Sequence, residues 1–101
     1  MQALQQMQMV YGVPSGGLAP GGTPVTATVT CPAGSVIVNG GFDVVLSDPS
    51  DAAALAGATL LADGPTSSTT WQATIVPPQE TGQQIARPAQ VVAKALCVPV
   101  S

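Results

Sequence analysis

Histidine is absent from the 101 residues. Without an imidazole there is no Ser-His or Cys-His nucleophile, no histidine general base and no histidine-containing zinc site. Charge is nearly absent too, at 7% of residues where an average soluble domain carries about 25%. Arg87 and Lys94 are the whole basic complement and the net charge is −3, so a nucleic-acid partner, whose phosphates need a cationic footprint, is not expected. Long apolar runs are lacking as well. Val36 to Val38 and Ala52 to Ala56 fall far short of the ~20 residues that cross a bilayer, and no membrane span is expected. The first ten residues carry no basic cluster and no continuous apolar stretch, with Gln at positions 2, 5, 6 and 8, so export by a secretory signal is not expected from them.

The acidic residues do little to fill the catalytic gap. They are Asp43, Asp48, Asp51, Asp63 and Glu80, and only Asp48 and Asp51 are close in sequence. A glycosidase pair would have to face each other across an aromatic-lined cleft, and Tyr11, Phe42 and Trp71 are the only aromatics. Asp48, Ser50 and Asp51 could offer oxygens to calcium, but without further carboxylates at suitable spacing they read as turn-capping side chains. Gly16-Gly17 and Gly21-Gly22 follow no strand, open no helix and have no lysine beside them, so they are linker glycines and not a phosphate cradle. No enzyme activity, metal or cofactor is expected.

What is present is apolar, 46% of the chain, on a sequence long enough for one domain with one modest core. With so little charge to coat it, such a surface tends to associate, which predicts a homo-oligomer. Residues 1–24 read as an N-terminal arm and linker. Leu4, Met7 and Tyr11 recur at helical spacing, so the arm is either a short helix packed on a neighbour or an extended segment. With Met9 and Val10 these residues make the expected assembly interface. The Gly- and Pro-rich stretch from Gly12 to Pro24 has no period.

The folded domain is expected over 25–101. Val25 to Cys31 alternates cleanly, with Val25, Ala27, Val29 and Cys31 on one face and three threonines on the other. Short strands are expected at Ser35 to Val38, Phe42 to Ser47, Thr59 to Ala62, Thr70 to Val76 and Gln90 to Val98, with Asn39-Gly40-Gly41 as a turn or bulge. Asp48 to Leu55 reads as a helical turn or loop, and Pro77 to Pro88 as an irregular excursion. No crossover-length amphipathic helix separates any two strands, so the fold class is all-β, a single small antiparallel sandwich or barrel. Phe42 and Trp71 are its expected core anchors. The last strand is apolar on both faces, so one face is expected to meet another subunit.

Cys31 and Cys97 fall on the inward parity of their strands and belong to no Cys-x-x-Cys spacing. A disulfide between them is the natural consequence. Closing a loop of that length would stabilise the fold by roughly 4 kcal/mol and places the working protein outside a reducing cytosol.

The order Cys31-Pro32-Ala33-Gly34, Val36-Ile37-Val38, Gly40-Gly41-Phe42, Ser68-Thr69-Thr70-Trp71-Gln72-Ala73 and Val92 to Cys97 resembles a β-module of exported bacterial proteins and phage virion proteins. There a Cys-Pro-x-Gly turn, a Gly-Gly-aromatic strand, a central Trp and a terminal Cys frame a disulfide-closed sandwich. The resemblance covers about residues 25–98 and implies a structural or adhesive role without catalytic residues. The lack of a signal sequence departs from the exported versions and favours a phage virion protein of the capsid decoration or cement type. Such proteins are commonly trimers seated between capsomers, with the major capsid protein as partner. A tail-fibre or baseplate tip module and a secreted bacterial adhesive domain are the alternatives.

Overall fold

Val25–Thr30 alternates buried and exposed residues without a break, as a strand with one face on a core must. It is β3 of seven strands found among the residues described by the computed structural model, namely 7–46, 48–79 and 88–100. Before it come β1 (Gln8–Tyr11) and β2 (Ser15–Leu18); after it come β4 (Ser35–Val45), β5 (Thr59–Pro65), β6 (Thr70–Val76) and β7 (Ala89–Pro99). A 3₁₀ helix, Pro49–Leu55, joins β4 to β5 where the sequence predicts a helical turn or loop.

Pairing turns these strands into two antiparallel sheets packed face to face, the all-β sandwich expected from the turn spacing. β7 is the axis of the larger sheet. β4 runs along its whole length, from Ser35 opposite Pro99 to Val45 opposite Gln90, while β1 and β2 share its other edge end to end. The smaller sheet has the order β3-β6-β5.

Two expectations change. The arm does not stand outside the domain: β1 and β2 precede Val25 and complete the larger sheet. A helix of so few residues is marginal alone, whereas the open edge of β7 satisfies the same backbone groups, so the extended form wins over residues 8–11. Of the turn or bulge expected around Asn39-Gly40-Gly41 the structure has the bulge, so the two short strands expected on either side are one. β4 continues through it, with one extra residue accommodated as a bulge between Ile37 and Asn39.

The core is built from small side chains. Ala27, Ala73, Ala93 and Ala95 are fully buried between the sheets, with Val29, Ile75 and Val91 filling the spaces beside them. One seam of the sandwich is closed where the chain passes from β1 to β2. There the Gly12 amide donates to the Ala93 carbonyl at 2.8 Å, and a Cβ at Gly12 would strike the Thr28 backbone. The opposite seam runs between β4 and β5.

Candidate functional site

Cys31 and Cys97 are bonded, with Cα atoms 5.9 Å apart, and tie the end of β3 to β7 across the core. Backbone hydrogen bonds gather around this junction. Cys31 N–H donates to the Thr69 carbonyl at 2.7 Å, Ile37 N–H to Ser68 at 2.9 Å and Val100 N–H to Gly34 at 2.8 Å. The Ser35 hydroxyl and amide both reach the Pro32 carbonyl, at 2.7 and 3.1 Å, and close the Cys-Pro-Ala-Gly turn.

Next along the β4–β5 seam stands Trp71. Its side chain takes the inward parity shared with Ala73 and Ile75 and packs on the core half-buried. The indole lies against Gly40, where any Cβ would overlap the ring, and its N–H donates to Asp63 Oδ1 at 2.7 Å. The Gly-Gly-Phe strand and the tryptophan therefore interlock: glycine at position 40 is the seat of the indole. The disulfide, its turn and the Trp71 seat are thus parts of one frame.

Beyond Trp71 the seam opens. A groove of about 340 Å³ runs between β4 and β5, its floor made by Leu18, Leu55 and Ile75 and its walls by Phe42, Val44 and Leu46 on one side and Ala58 and Leu60 on the other. Ala52 of the 3₁₀ helix completes it, and among the described residues its lining is apolar throughout. Phe42, expected as a core anchor, is a groove wall packed against the core. The groove was missed by reasoning from sequence because its residues come from five separate segments. The exposed valines of β4 are the signal that could have found it.

A second apolar surface is the outward side of the larger sheet. Cross-strand partners place Met9 beside Leu96, Tyr11 beside Lys94, Asp43 beside Val92, and Val36 beside Val98. Its centre holds the ion pair of Lys94 Nζ with Asp43 Oδ1 at 3.1 Å. Of the expected assembly residues, Met9 and Tyr11 lie exposed on this side, Met7 is exposed just before β1, and Val10 turns inward to pack on the core. Leu4 lies outside the described residues. The outward side of the smaller sheet is polar without charge, with Thr26 and Thr74 hydroxyls 2.9 Å apart.

Asp48 lies exposed immediately before the 3₁₀ helix and Asp51 within it. Among the described residues no three His, Cys, Asp or Glu side chains group to hold a metal ion. No helix among them is long and apolar enough to cross a membrane. No protein-family model, curated protein or solved structure matches this chain.

Proposed function

We propose that this chain works by association and not by catalysis, as a structural virion protein of the capsid decoration or cement type that binds between capsomers and stabilises the head. The observation that carries the reading is the surface. Apolar side chains remain exposed along the open seam and on the outward side of the larger sheet, Leu60 at 48% and Tyr11 at 59% among them, and the Lys94–Asp43 ion pair lies at the centre of the latter. Exposed apolar surface of this kind marks a site that a partner covers. A core closed by a buried disulfide suits a protein that outlives its cell, since such bonds persist outside reducing compartments.

The test is to mix the purified protein with empty heads, sediment them, and compare their resistance to heat with that of bare heads. Co-sedimentation with a raised melting temperature is expected; absence of both rejects the reading. The alternative, a receptor-binding module at a fibre or baseplate tip, is favoured by the position of the groove at one end of the sandwich beside the 3₁₀ helix. It requires binding to host cells and none to heads. A secreted adhesive domain would likewise bind surfaces and leave heads untouched.

A further inference from the structure

The hydrogen bonds of β7 reveal the state of the edge it does not touch. Ala93 accepts from Gly12 on the β1–β2 side, so it does not exchange bonds with Phe42, its opposite residue on β4. Phe42 must then turn its own N–H and C=O to the free edge, and Val44, two residues on, does the same. Gly40 and Ile37 share this orientation, and both donors are occupied: Gly40 N–H by the Asn39 side chain at 2.8 Å and Ile37 N–H by Ser68. These intramolecular caps stop where the groove begins. Among the described residues nothing meets the edge groups of Phe42 and Val44, and this stretch carries no Pro or Lys of the kind that blunts an exposed edge.

We infer that β4 pairs antiparallel with β4 of a second copy over residues 42–46, making a two-fold dimer in which the larger sheets of both copies become continuous. Antiparallel pairing of identical edges is self-complementary, which is the condition for an isologous contact. Charge selects the register. Placing Phe42 opposite Val44 of the other copy would set the two Asp43 side chains directly against each other, whereas Val44 opposite Val44 sets Asp43 against Val45. In the second register Phe42 faces Leu46, so groove-lining side chains of each copy cover the groove mouth of the other. Leu60 (48% exposed) and Val44 (41%) are buried by the same step. The paired strip is five residues long, so the contact is small and the dimer should dissociate on dilution. This goes beyond the virion reading and is tested without heads, so either can fail while the other stands.

The test is molar mass by light scattering across a dilution series, combined with amide hydrogen exchange at the two ends of the series. A dimer that dissociates on dilution is expected, with Phe42 and Val44 amides protected only in the concentrated sample. Val44→Pro removes an N–H from the free side and leaves the β7 ladder intact, a position where an edge strand accepts proline. It should be monomeric throughout. Should V44P fail to fold, Val45→Asp and Val45→Lys carry the test, because the Val45 amide stays in the ladder with Gln90. V45D opposes Asp43 of the other copy and should weaken the dimer by about tenfold, while V45K should tighten it. A monomer at every concentration, a trimer, or a dimer indifferent to these substitutions overturns the inference.

Discussion

The two ends of this sandwich solve the same problem in opposite ways. At the disulfide end a covalent bond joins the end of β3 to β7, and hydrogen bonds cross between segments, from Cys31 to Thr69 and Ile37 to Ser68 in the β5–β6 turn and from Val100 to Gly34. At the groove end Gly21 donates to Pro78 across segments at 2.8 Å, and the bonds of the 3₁₀ segment are local. Ala56 donates to Ala53 and Ala58 to Leu55, which shapes the 3₁₀ segment. The covalent cross-link therefore lies at one end and the open groove at the other. A domain with little core can in this way hold a sticky seam open, because the frame that resists unfolding does not include it.

That contrast can be broken at its strong end first. Replacing both cysteines by alanine removes the cross-link over a separation of 66 residues, which should cost roughly 4 kcal/mol and lower the melting temperature by about 15 °C or more in a circular dichroism melt. A melt that barely moves would mean that the hydrogen bonds of this end suffice alone. Gly40→Ala forces a methyl group into the Trp71 ring and should cost about 2–3 kcal/mol, with tryptophan emission shifting to the red as the indole is displaced. At the weak end, Leu55→Ala trims the groove floor. Leu55 is buried beneath an opening, so the loss should sit at the low end for leucine truncation, about 2 kcal/mol by denaturant titration. The smallest effect is expected from Asp43→Asn. Its partner Lys94 is partly solvated, so stability should change by no more than about 0.5 kcal/mol, at low and at high salt alike.

Strand parity made much of this legible in the sequence. The alternation of Val25 to Cys31 and the shared parity of Cys31 and Cys97 depend on the two-residue repeat of a single strand, and both appear as read. β1 and β2 were hidden because each is four residues long and earns its place from β7, not from its own pattern; Gly16 and Gly17 within β2 have no side chains to alternate. The continuity of β4 was hidden for a different reason. Asn39-Gly40-Gly41 has the composition of a turn, and the demand for glycine comes from Trp71, a neighbour 31 positions away in sequence whose ring needs the space. The apolar character of both faces of β7 was readable, and its cause is now visible. One face lies in the core, and the other carries Val92 and Leu96 onto the exposed side beside Met9 and Tyr11.

The place of β7 in the chain has a consequence for how the molecule comes into being. Every strand of the larger sheet pairs with β7 and with no other strand of that sheet, yet β7 follows all of them in sequence. A chain growing from its N-terminus therefore exposes β1, β2 and β4 before their common partner has been synthesised. Cys31 must also wait for Cys97. The smaller sheet, complete by Val76, can form ahead of it, but the larger one assembles in a single late event when the last strand arrives between edges already waiting for it. Until then the apolar strip of β4 is bare on both sides, and the nascent chain is most vulnerable to wrong partners just before β7 emerges.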